Sequence, residues 1–163
     1  MIRLNKILAC VDLSDYSKKT MEYTVVLARA MMAEIIVLNV INSRELEAVK
    51  LAASHYPHEI NFDAYVERTK ADRFRRVQEL ISDDFSPDRK KIITLVEIGI
   101  PFRKILEVVD REKIDLIVQG NKGRGNAVGT LFGSHAEKVF RHSPVPVMSI
   151  RNGEGWLSRM KKM

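Results

Sequence analysis

The chain has one cysteine, Cys10, in 163 residues. No internal disulfide can therefore staple it, and its stability has to come from a packed core. The thiol falls inside an apolar run, where it reads as a small core residue and suits a reducing cytoplasm, the expected location. No apolar run approaches the roughly 18 residues of a spanning helix, so a membrane span is excluded. The N-terminal stretch MIRLNKILACVDLSD lacks a small-residue cleavage site and runs into Asp12 and Asp15, which makes it a first strand and not a secretory leader. Aromatic residues are 7% of the chain, with one tryptophan. None is interleaved with the basic stretches in the manner of a base-stacking platform, so the net charge of +6 favours anionic partners without making nucleic acid an expected one. Two common phosphate-loop patterns are missing as well: there is no GxxxxGK[ST], and the Gly123-x-Gly125 pair is followed by Val128 where GxGxxG requires glycine. No Ser, His and Asp grouping of a nucleophilic enzyme is visible.

What is present alternates regularly. Short β-branched runs at Lys6 to Val11, Glu34 to Ile41, Lys91 to Glu97, Asp115 to Gln119 and Val145 to Ile150 are separated by helical patterns. Their nearly continuous apolar character predicts strands buried on both faces, hence a parallel sheet covered by helices and an α/β class. Ser14 or Asp15 would cap a first helix with Met21, Val25, Ala28 and Met32 on one face. The stretch from Ser43 to Asp84 divides at Pro57 into a short helix near 44–54 and a longer one near 63–82. Gly99-Ile-Pro101 opens a further helix with proline in its first turn, ending near Glu112. Pro144 and Pro146 place the final strand at a sheet edge, because proline removes a ladder donor. One domain over 1–152 is expected, followed by a basic amphipathic tail over 153–163 with Trp156, Leu157, Met160 and Met163.

The chemistry concentrates after the fourth run. Asp115-Leu-Ile-Val-Gln-Gly120 leads through Gly123, Gly125 and Gly129 to Gly133-Ser134, a strand, a glycine-rich loop and a helix start. Glycines let backbone N–H groups converge on a phosphate, a helix N-terminus adds partial positive charge, and Lys122 and Arg124 would supply charge at the rim. Three plainer readings stand beside this one. Ser134-x-x-Glu137 is also a capping box; Asp12 at a strand end can be a turn or capping residue; and His142, following Lys138 and Arg141 near a helix end, suits the dipole there. His55-x2-His58 offers two metal-ligand types, but Pro57 breaks any helix between them and no third ligand follows at a zinc-like interval.

The pattern Gly120-x2-Gly123-x9-Gly133-Ser134, with Val11-Asp12-x-Ser14, Leu38-Asn39-Val40, Gly99-x-Pro101 and the run Gly133-Ser-His-Ala-Glu-Lys-Val-Phe-Arg-His-Ser-Pro-Val-Pro-Val147, resembles the ATP-binding branch of the universal stress protein family over nearly the whole chain. The resemblance implies a Rossmann-like, doubly wound sheet of five parallel strands in the order 3-2-1-4-5. It implies ATP, with Mg or Mn, held by Asp12 and Val40 at the adenosine, by Gly120 and Gly123 at ribose and phosphates, and by Gly133 and Ser134 at the phosphates. It also implies a homodimer through the final edge strand and a regulatory role in which occupancy orders the 120–134 loop and alters what a protein partner meets. Two positions depart from the family pattern: Asn39 stands where histidine is frequent, and His135 where a small apolar residue is common, so His135 would tune or crowd the phosphate end. The alternative function is a slow ATPase or a phosphoryl- or adenylyl-transferring enzyme using the same site, against which stands the lack of an evident base or electrophilic lysine.

Overall fold

The computed structural model describes residues 3–85, 92–121 and 133–151. Its elements run β1 (Lys6–Cys10), α1 (Asp15–Met31), β2 (Glu34–Asn42), α2 (Ser43–His55), α3 (Phe62–Phe85), β3 (Ile92–Gly99), α4 (Pro101–Glu112), β4 (Leu116–Gly120), α5 (Ser134–His142) and β5 (Val147–Ile150). All five strands pair in parallel in the order β3-β2-β1-β4-β5.

Alternate residues of the inner strands serve opposite faces. Ile7, Ala9, Ile35 and Val37 join Met21, Val25 and Ala28 of α1 and Val77 and Ile81 of α3 in one core. Leu8, Ile36, Leu38 and Ile117 join Ile105, Val108 and Val109 of α4 and Val139 of α5 in the other. Each buried Val, Leu, Ile or Met among these contributes about 1.5–3 kcal/mol, and the double burial explains why these strands read as continuous apolar runs. β1 and β4 are neighbours whose chain connections leave to opposite sides of the sheet, so their carboxyl ends diverge and open a crevice.

Several boundaries differ from the expected ones for local reasons. Asp115 precedes β4, because its Oδ2 accepts from the N–H groups of Asn5 at 2.7 Å and Lys6 at 3.0 Å and so joins the start of β1. β5 starts at Val147, after a turn in which Ser143 Oγ donates to the Val145 carbonyl and accepts from the Val145 N–H. Pro146, without a donor of its own, still accepts from the Ile117 N–H at 3.0 Å. The strand lies at the sheet edge, as its prolines require. β3 continues two residues past Glu97 to Gly99. Pro101 occupies the first turn of α4. The tail over 153–163 lies outside the described residues.

Candidate functional site

At the carboxyl ends of β1, β2 and β4 lies a cleft of about 370 Å³, within the size range of small-ligand sites. Its walls come from seven elements. β1 and the turn after it supply Cys10, Val11 and Asp12; α1 supplies Tyr16, Ser17 and Thr20; β2 ends in Leu38, Val40 and Asn42; α2 adds Glu45, α4 Pro101 and Ile105, and β4 Gln119 and Gly120. Gly133, Ser134, His135 and Ala136 close it with the start of α5. Of the residues expected at a nucleotide, Asp12, Val40, Gly120, Gly133, Ser134 and His135 all line this one cleft. Gly123, with Lys122 and Arg124, lies outside the described residues.

The β1 wall is fixed by Asp12. Its Oδ1 accepts from the Ser14 N–H at 3.0 Å, the Ser14 hydroxyl at 2.6 Å and the Ser17 hydroxyl at 3.3 Å. This folds the strand end into α1 through Leu13, whose φ of 62° is costly for a residue with a side chain. The turn role and the cleft position of Asp12 therefore coexist. Asn39, by contrast, does not line the cleft. It is fully buried and donates from Nδ2 to the Val11 carbonyl at 2.8 Å, tying β2 to the end of β1.

The opposite end is built by α5. The plainer reading of Ser134 and Glu137 as a capping box does not hold: the N-cap is Gly133, Ser134 already lies in the helix, and no side chain caps the N-terminus. Glu137 instead pairs with Arg141 at 2.7 Å. The first backbone bond of the helix runs from the Glu137 N–H to the Gly133 carbonyl, which leaves the N–H groups of Ser134, His135 and Ala136 without an acceptor among the described residues. Gln119 pins this turn to β4 by donating Nε2 to the Ala136 carbonyl at 2.9 Å. The chain also closes on itself at this point: the Gly133 N–H donates to the Asn121 carbonyl at 2.7 Å, and the Asn121 N–H to the Ile150 carbonyl at 2.8 Å. Donors and a helix dipole thus face one end of the cleft, while Leu38, Val40, Pro101 and Ile105 give another part an apolar wall. That division suits a ligand with an anionic end and a flat apolar end.

Titratable groups follow from this setting. Burial pushes the Cys10 thiol up to about 12, so it lines the cleft as an inert group. His135 is held below the usual imidazole range, first by burial and then by the positive charges of Lys138 and Arg44. Among the described residues no three His, Cys, Asp or Glu side chains are grouped to hold a metal; a divalent ion would depend on phosphate oxygens for most of its ligands. His55 ends α2, and His58 lies in the exposed turn beyond it. Tyr16, Thr20, Gln119 and Glu45 were not foreseen. Their only signal is position, at a strand end for Gln119 and one or two turns beyond one for the others, and periodicity reads such residues as ordinary helix or strand.

The universal stress protein family model matches residues 3–151. Universal stress protein YxiE of Bacillus subtilis is 26% identical over 152 residues, which cover 90% of this chain and 99% of that protein. Universal stress protein MJ0577 of Methanocaldococcus jannaschii is 22% identical over 156 residues, covering 92% and 96% respectively. Among solved structures, universal stress protein UspA of Lactobacillus plantarum superposes with a TM-score of 0.68 at 25% identity, over 93% of this chain and all of that one. Two further structures of the same fold, at 21% and 20% identity, are a universal stress protein in complex with cAMP and one from Archaeoglobus fulgidus in complex with dAMP. Their TM-scores are 0.57 and 0.53; they cover 92% and 93% of this chain, which spans 98% and 100% of theirs.

Proposed function

The chain belongs to the universal stress protein family, and on that premise we propose that it is a nucleotide-binding regulatory protein whose ligand is ATP, taken up with Mg or Mn. The observation that carries this reading is the α5 N-terminus. Three neighbouring backbone donors without acceptors among the described residues face a cleft that elsewhere is apolar. A nucleotide satisfies both parts at once, phosphates on the N–H groups and base against Val40 and its neighbours, with Asp12 at the adenosine. The cAMP and dAMP held by two structural neighbours make an adenine nucleotide the natural class. The triphosphate is our own choice, for the unpaired donors of α5 and the basic residues at 122 and 124.

Occupancy then acts as a signal: nucleotide orders the 120–134 segment, and a protein partner that prefers one state reads it. Homodimerisation through the open edge of β5 belongs to the same proposal, and light scattering on the purified protein tests it. A hydrolytic role has less support, since one oxygen of Asp12, a carboxylate of the cleft, already accepts three hydrogen bonds.

The direct test is to denature washed protein and identify released nucleotide by mass spectrometry, beside a Gly133→Val, Ser134→Val double variant. Near-stoichiometric ATP in the wild type and none in the variant supports the site. No nucleotide, and no thermal shift with added Mg-ATP, refutes it.

A further inference from the structure

The cations of α4 and α5, with Arg44 of α2, fall into two kinds. Lys104, Arg111 and Arg141 each pair with a carboxylate, Glu107, Glu97 and Glu137 respectively. Arg44, Arg103 and Lys138 have no carboxylate partner among the described residues. These unpaired cations gather around one aromatic pair. His135, in the first turn of α5, stacks on Phe102 of α4 with ring centroids 6.4 Å apart and planes 21° apart. Lys138 Nζ and the Arg103 guanidinium lie 5.1 Å and 5.8 Å from the centre of the Phe102 ring. Arg44, at the start of α2, is near enough for its charge to act on His135.

His135 itself lines the cleft. Its Nδ1 is buried and has no hydrogen-bond partner among the described residues. The remaining charged or titratable groups on the cleft wall are already engaged or neutral. Asp12 holds Ser14 and Ser17; Glu45 is bound by the buried Arg73 at 2.9 Å; the Cys10 thiol is raised to about 12; and Tyr16 is a phenol. Among the described residues, no carboxylate lining the cleft is without a partner and so available to balance an imidazolium at position 135.

We propose that seating nucleotide phosphates against the α5 N-terminus is coupled to uptake of a proton by His135, which makes this side chain a proton-linked phosphate ligand. The proposal rests on the nucleotide-binding reading and adds to it a residue the family pattern does not supply. Without ligand, burial and two neighbouring cations oppose a charge on the ring. A phosphate group at the Ser134, His135 and Ala136 N–H groups outweighs both, because an anion within about 4–6 Å favours the charged form. The proton comes from solvent and goes to an imidazole nitrogen; no covalent bond is made or broken. Adenosine, without phosphate, binds with no such uptake.

Calorimetric titration of the full chain with Mg-ATP in two buffers of different ionisation enthalpy reads the protons taken up. His135→Val and His135→Gln are titrated beside the wild type; the glutamine keeps a polar side chain of similar reach without a charge change. Titration of the nucleotide's own phosphate is common to all three proteins and cancels in the difference. The expected result is proton uptake in the wild type exceeding both variants, and a wild-type affinity that gains over His135→Gln as pH falls from 8 to 6, rising toward the roughly tenfold that one unit of pKa change supplies once the pH is below both values. An NMR ring-proton signal that vanishes in His135→Gln should titrate at higher pH once Mg-ATP is added. Equal uptake in all three proteins, or the same uptake with adenosine, overturns the proposal while leaving the nucleotide site standing. Failure of the wild type to bind Mg-ATP at any pH overturns the site and the proposal together.

Discussion

With its charged form opposed by burial and then by Lys138 and Arg44, the His135 imidazole takes up protons less readily in the folded chain than in the unfolded one. Between the lowered folded value and the ordinary value near 6.5 the unfolded state binds more protons, so stability falls as pH falls through that window. Urea melts of the nucleotide-free protein at pH 7.5 and 5.5 should show a loss that is smaller in His135→Val. Cys10 makes a second test: a thiol raised to about 12 should react with a disulfide reagent at neutral pH at least about a hundredfold more slowly in the folded protein than in denaturant. The two ends of the cleft should also part company on truncation. Asp12→Ala removes the acceptor of three hydrogen bonds and should cost about 1.5–3 kcal/mol in chemical denaturation. Ser134→Ala removes no cap and should stay within about 0.5 kcal/mol while weakening nucleotide binding. The turn role of Asp12 was legible in sequence, because a strand end, a short acid and a serine two residues on make an Asx turn; its place in the cleft followed from the family resemblance. The plainer capping-box reading of Ser134 fails because the pattern S-x-x-E does not reveal which residue leaves helical geometry first; Gly133 does, and its lack of a side chain leaves the donors of α5 open.

Among the elements, α1 and α4 end in the same way, on residues in the left-handed region that are not glycine, Met32 and Lys113, each with φ 56°. Met32 is 89% exposed and gives up almost no packing if replaced. Met32→Gly should therefore stabilise the protein by about 1 kcal/mol, read as a rise in thermal midpoint. The long helices between β2 and β3 show where sequence reading loses precision. α2 buries only Leu46, so its extent rests on Asn42, whose side chain accepts from the Arg44 N–H. α3 is joined to α2 by the Arg73–Glu45 pair, and no periodicity announces a contact between charges 28 positions apart. The strands fared better, since burial on both faces leaves a run with little else to be.

At the scale of the molecule, five apolar runs and their helical crossovers told the fold class. They did not tell which strand lies beside which: the order 3-2-1-4-5 came from the family resemblance, because each inner strand is apolar on both faces and would fit any central place. Once the order is known, the crevice between β1 and β4 follows, and with it the meeting of Asp12, Val40, Gly120 and the start of α5. At its mouth the backbones of Asn121 and Gly133 are joined by a hydrogen bond, so the chain departs and returns at nearly one point. Replacing 122–132 with a short Gly-Ser linker should then leave the thermal transition cooperative and the sheet intact by circular dichroism, while abolishing retention of Mg-ATP. Lengthening the same stretch should be tolerated too, since doubling a closed loop costs only about 0.6 kcal/mol. If those outcomes hold, sequence drift there is decoupled from the demands of folding: on the nucleotide-binding proposal a lineage could rewrite what the protein senses without renegotiating how it folds, and an engineer could graft a reporter at the same place.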